Sequence, residues 1–129
     1  VDVECIQEVI RYQAMTEVPL APECVVGLIN LRGQIVTAID LRRRLNLQMP
    51  HPQHEPMNVI LCNDGEAISL LVDRIGDVIE VSNDQFETPL QTLPQSIRRF
   101  VTGTYKLPKQ LLLVLDPQQI ADVDNVVAA

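Results

Sequence analysis

A mainly β fold built from small barrels is what this sequence predicts, and three observations lead there. Apolar residues fill 47% of 129 positions while aromatics fill 3% and tryptophan is absent, so the core must be aliphatic. Val, Ile and Leu fall in short runs, and branched side chains pack best on a pleated, half-buried surface. Turn-forming residues, nine prolines among them, break those runs too often for alternating strand–helix units.

The length suits one domain or two small, closely packed lobes. Ten basic against seventeen acidic residues give a net charge of −7, which argues against nucleic acid, since phosphate binding needs a basic surface. No apolar run has membrane-span length, so direct membrane insertion is not expected, and no signal segment opens the chain. Cys5, Cys24 and Cys62 are odd in number and lie in apolar stretches, which reads as reduced core thiols in the cytoplasm.

Along the chain, Val1–Val3 alternates like the end of a strand. Val3, Ile6, Val9 and Ile10 then recur at helical spacing, with Glu4, Gln7, Glu8 and Arg11 opposite, predicting a short amphipathic helix. Pro19 and Pro22 mark a loop. Leu28–Leu31 and Gln34–Leu41 read as strands around Arg32-Gly33. In the second, Ile35, Thr37, Ile39 and Leu41 share one face, and Val36, Ala38 and Asp40 the other.

Residues 48–57 are polar and proline-rich, a loop or lobe boundary. Asn58–Cys62 and Ala67–Val72 form strands joined by Asn63-Asp64-Gly65, residues that tolerate positive φ. Ile75–Val81 reads as a further strand with a bend at Gly76. Ser82 begins a single helical turn as its N-cap, and Pro89–Pro94 is a loop. Arg99–Leu107 and Lys109–Asp116 are strands, the second carrying a Leu-Leu-Leu-Val-Leu run expected to be buried on both faces. Pro117 suits the first turn of a last helix packed through Ile120 and Val123.

The chemistry that can be read is sparse. There is no Gly-rich phosphate loop, no nucleophile elbow and no trio of nucleophile, base and orienter. His51 and His54, with Cys62 or Glu55, are the metal-ligand candidates, and a solvated loop accounts for them more simply. Asp73 and Asp77 do not form a designed carboxylate pair. No catalysis and no cofactor are expected. What stands out is the polar corner in Gly-Leu-Ile-Asn-Leu-Arg-Gly-Gln-Ile-Val-Thr-Ala-Ile-Asp-Leu-Arg, Gly27–Arg42. Gly33 permits a tight turn, and Arg32 offers a rigid fork of donors for carboxylates or carbonyls, as interface anchors do. A solvated turn arginine paired with Asp40 or Glu8 is the plainer alternative, and both stand at this point.

Four segments carry a family resemblance: Ile6–Tyr12, Val25–Leu47, Leu70–Val81 and Val101–Asp116. In order and spacing they resemble the CheW-like domains of bacterial chemotaxis, found in the adaptor CheW, in the regulatory domain ending the kinase CheA, and in the first domain of CheV. The resemblance implies two small five-stranded, SH3-like barrels packed across an aliphatic interface. It also implies a non-enzymatic adaptor that couples the cytoplasmic hairpin tip of a chemoreceptor to a CheA-type histidine kinase, at membrane receptor arrays. An adaptor of another kinase array, such as one for pili and twitching, keeps the same fold.

By the same resemblance, Ile6, Glu8 and Val9 fall on the receptor side, in what the family uses as an early helix. Arg32 occupies the Arg of the family's Asn-Leu-Arg-Gly, a position of signalling contacts, with Gly27 and Asn30 framing that corner. Asp73 lies near a partner surface, Gly33 shapes the turn, and Asp40 bonds the backbone near the Arg32 turn. The family also opens with another strand that leads into the one ending near Val3, and this sequence does not contain it. A truncation, a strand supplied by a neighbour or a rearranged lobe are the expected consequences. Ser69 and Tyr105 stand where smaller residues are common in the family.

Overall fold

Alternating aliphatic residues resolve into two sheets in the structure, a computed structural model that describes residues 1–47, 55–63, 65–88 and 93–122. The larger sheet holds β1 (Ile6–Arg11), β2 (Val25–Leu31), β3 (Gln34–Asp40), β4 (Met57–Asn63) and β5 (Glu66–Val72), in the order β1-β4-β5-β3-β2. All its neighbours are antiparallel except β3 and β5, which run parallel. The smaller sheet has the order β6 (Phe86–Glu87), β7 (Val101–Lys106), β8 (Leu111–Leu115). Three short helices, α1 (Leu41–Arg44), α2 (Gln95–Arg98) and α3 (Pro117–Ala121), pack between and beside them.

Both faces of the larger sheet are buried. Strand alternation puts Ile29, Val36, Ala38, Ile60 and Leu71 on one face, the inside of the curled sheet, together with Asn58 and Ser69. Those two polar residues satisfy each other: the Ser69 hydroxyl donates to Asn58 Oδ1 at 2.8 Å, and Asn58 Nδ2 donates to the Arg11 carbonyl at 3.2 Å. On the other face Ile39, Val59, Leu61, Ile68 and Leu70 meet Cys24, Leu45, Phe100 and Ile120. That second face is the aliphatic seam between the two sheets.

Several expectations from the sequence need correction. Residues Ile6–Arg11 form a strand, not a helix, with Ile6, Glu8 and Ile10 half-buried in alternation. So short a helix is marginal in water, whereas β4 offers this segment a ladder of backbone bonds. Val1–Val3 is not a strand end; a 3-10 turn spans Val3–Cys5, capped by the Asp2 side chain. Ile75–Val81 is not in a strand, because no described neighbour pairs with it. The Leu-rich β8 is not buried on both faces. It is an edge strand, with Leu111 exposed and the rest half-buried. Of the cysteines only Cys24 is buried; Cys5 is intermediate and Cys62 exposed.

The hairpins at Arg32-Gly33 and before Glu66 form as the turn residues foretold, with Gly65 at φ +81°. Ser82 begins a 3-10 turn over Asn83–Gln85, and Ile120 is fully buried on α3, while Val123 lies outside the described residues.

Gly27 is required by a close approach. A Cβ there would meet the Thr16 carbonyl oxygen at 2.7 Å, and Thr16 is itself bonded to Leu28. Gly27→Ala is expected to destabilise the fold by about 1–3 kcal/mol, as overpacking against backbone does. A lower denaturant midpoint with unchanged slope is the check.

Candidate functional site

The polar corner begins with backbone geometry. Leu31 pairs with Gln34 across a two-residue turn in which Arg32 and Gly33 both have positive φ, 53° and 86°. This is the turn whose twist matches flanking strands. Asn30 Oδ1 accepts the Gly33 amide at 3.0 Å, locking the turn from its own side chain. Arg32 thus projects from a rigid tip.

Its guanidinium reaches Glu8 on β1, with Nη2 at 2.6 Å from Oε1 and 2.5 Å from Oε2. The contact ties β1 to the turn between β2 and β3, and β1 and β2 stand at opposite ends of the strand order. The Arg32 side chain is 69% exposed and that of Glu8 24%, so the fork stays accessible while the carboxylate is held. The bond to Glu8 raises the pKa of Arg32 above the ordinary arginine value.

A few residues on, Asp40 and Asp73 have other work. Asp40 caps α1, its Oδ1 accepting from the Arg42 amide at 3.0 Å and the Arg43 amide at 3.5 Å. It does not bond the Arg32 turn, as expected from the sequence; Asn30 does that. Asp73 receives the largely buried Arg42, whose Nε lies 2.8 and 2.7 Å from the two carboxylate oxygens. That bond raises the Arg42 pKa, and it pins the end of β5 to α1. Gly27 lies against Thr16, away from the corner.

Ile6 and Val9 open onto an apolar groove of about 650 Å³ between the sheets. Val59, Leu61, Leu70 and Val72 from the larger sheet line one wall. Ile75, Val78 and Ile79, with Leu112 and Val114 of β8, line the other. Ile75, Val78 and Ile79 are exposed, Val78 at 77%. Asp2, Arg74 and Asp77 are the charged side chains of the lining, and among the described residues it contains no His, Cys or Ser. Among the described residues no nucleophile, base and orienter converge there.

The structure therefore gathers Glu8, Asn30, Arg32 and Gly33 at one tip, and sets Ile6 and Val9 in the apolar groove; Glu8 pairs with Ile60 and Val9 with Val59, so the tip and the groove lie on opposite faces of β1. Sequence reasoning missed the groove's far wall, whose signal was the apolar run through Ile75–Val81. His51 and His54 lie outside the described residues, and among the described ones no group of three His, Cys, Asp or Glu residues could hold a metal. No helix among the described residues is long and apolar enough to cross a membrane.

Comparisons with known proteins agree with this architecture. The chain is 29% identical over 133 residues to a chemotaxis protein CheW from Klebsiella aerogenes, covering 98% of this chain and 80% of the relative. It is 28% identical to one from Treponema pallidum, over 90% of this chain and 71% of that protein. The crystal structure of the scaffolding protein TtCheW from Thermoanaerobacter tengcongensis superposes with a TM-score of 0.85 at 26% identity, covering 95% of this chain and 84% of that one. The CheW-like domain family matches residues 1–125, and this chain belongs to that family.

Proposed function

We propose that this chain is a non-enzymatic chemotaxis adaptor. It couples the cytoplasmic hairpin of a chemoreceptor to the regulatory domain of a CheA-type histidine kinase, in the cytoplasm at receptor arrays. Family membership supports the adaptor role, and one observation carries the site: β1 bears a rigid, exposed Arg32 contact through Glu8 and opens through Val9 onto an aliphatic groove in which no reactive groups converge among the described residues. Val9, 41% exposed, and the groove wall supply apolar area. Burying one such side chain contributes about 1.5–3 kcal/mol before association costs.

Arg32 sets register rather than bulk affinity, exchanging or sharing its Glu8 contact with a partner carboxylate. Asn30 and Gly33 hold that tip, and Ile6 lines the groove. Gly27 and Asp73 serve the surface through the fold, although the Asp73 side chain keeps 39% exposure.

Two variants test this. Arg32→Asn tolerates positive φ and deletes the guanidinium. Val9→Asp puts a charge in the groove at an already exposed position. Each is expected to weaken receptor pull-down and kinase stimulation about tenfold, roughly 1.4 kcal/mol. Native unfolding curves accompanied by undiminished coupling in both variants would remove this surface from the function. Stimulation of a kinase from a pili-type array, but not of a chemotaxis kinase, would move the adaptor to that system.

A further inference from the structure

The backbone of β8 has a satisfied side and an open one. Bonds to its neighbours set the phase. The Leu107 amide donates to the Gln110 carbonyl at 2.9 Å, the Thr102 hydroxyl to the Val114 carbonyl at 3.3 Å, and the Asp116 amide to the Phe100 carbonyl at 2.7 Å. Gln110, Val114 and Asp116 therefore turn their backbone groups towards β7, and so does Leu112 between them. In an antiparallel ladder the alternate residues point N–H and C=O away from the partner. Leu111, Leu113 and Leu115 accordingly aim theirs at the outer edge, beyond which no strand lies among the described residues. Such a row is a template for another strand, and natural edges are blunted by lysine, proline or a bulge. β8 reads Leu-Leu-Leu-Val-Leu, without charge or proline, and the bulge of its ladder lies on β7, between Val101 and Gly103.

We propose that β8 pairs antiparallel with β8 of a second copy of this chain, centred on Leu113. The edge is complementary to itself. About a twofold axis through Leu113, that residue meets the partner's Leu113, and Leu111 meets the partner's Leu115, so every open amide faces an open carbonyl. Charge favours the same sense. Lys109 precedes β8 and Asp116 follows it, so opposite charges adjoin at both ends, whereas a parallel pairing sets like against like. Leu111, 51% exposed, is covered by the pairing.

The pairing acts on the groove. Leu112 and Val114 line it, and across the axis they oppose the partner's Val114 and Leu112 on the same face. The groove walls of the two copies become continuous. This self-association is independent of the receptor and kinase contacts proposed above, and either can fail without the other.

Sedimentation of the whole chain from ~1 μM to ~1 mM, the span of moderate to weak affinities, is expected to pass from monomer to dimer. Hydrogen exchange reads the register. In dilute protein the Leu111 and Leu113 amides should exchange fast while those of Leu112 and Val114 stay protected; at high concentration all of them should be protected. L113P deletes one outward amide and spares those that β7 uses, a placement that edge strands tolerate. L111K supplies the charge that blunts an edge. Each variant, with native circular dichroism, is expected to weaken dimerisation at least about tenfold. If L113P misfolds, L111K and the exchange pattern of the unsubstituted chain decide. A monomer throughout the range, a dimer that leaves the Leu113 amide unprotected, or undiminished pairing in L111K would each overturn the proposal.

Discussion

Replacing Phe100 with alanine is expected to cost about 3–5 kcal/mol of unfolding free energy, the range for truncating a buried aromatic. Phe100 is 1% exposed and is the largest fully buried side chain among the described residues. It sits between α2 and β7 and fills the seam against Ile39, Leu45, Val59, Leu61 and Ile120. The Arg44 guanidinium carbon lies 4.9 Å from its ring centroid and that of Arg99 4.5 Å, so the ring also supports two cations. Alanine would leave a hole that the surrounding strands, already tied into the larger sheet, cannot collapse to fill. Urea unfolding followed by circular dichroism gives the number. A loss below about 1 kcal/mol, the level of ordinary surface changes, would mean the seam does not depend on this ring.

Arg44→Met should cost nearly as much, by a different route. Arg44 is buried, and its guanidinium donates to three backbone carbonyls near the end of α3: Ile120 at 3.0 Å, Gln119 at 2.9 Å and Asp122 at 3.1 Å. Burial lowers its pKa, which marks the desolvation that those bonds must offset. Methionine keeps much of the stem but strands the carbonyls. A hydrogen bond to a charged group contributes about 1.5–3 kcal/mol, so a net loss of about 3 kcal/mol is expected once relief from burying the charge is counted. The loss should localise: the Ile120 amide, bonded to Asp116 at 3.1 Å, should exchange faster in the variant. Arg44→Lys should not restore it, because one ammonium cannot reproduce the planar fork.

The contrast between these two residues and Arg32 shows what a sequence reveals. The Arg32 corner was legible because its logic is local: Asn30, Arg32 and Gly33 lie within four positions, and their turn chemistry is written in their types. The β4–β5 hairpin and the proline that opens α3 were legible for the same reason. Arg44 was not, because the carbonyls it binds are more than seventy positions away. Ile6–Arg11 was misread because its apolar spacing fits two periods, and a strand partner fifty positions later decides between them. Ile75–Val81 erred the other way. Its alternation is that of a strand, but β structure needs a partner, and no described residue supplies one. Asp40 was recognised as a polar position in an apolar strand and Asp73 as a residue near a partner surface, yet their partners, the start of α1 and Arg42, depend on how the chain turns after β3.

The packing of Ile120 against strands formed by residues 25 to 72 has a consequence for the order of assembly during synthesis. The larger sheet can pair its strands as soon as β5 leaves the ribosome, but one of its greasy sides stays open to water until Phe100 and then α3 have been translated. At about 5–20 residues per second, that exposure lasts some seconds. The nascent chain passes through a sticky half-built form in that interval. A holdase chaperone should therefore raise the yield of native protein most when it acts before the last helix emerges.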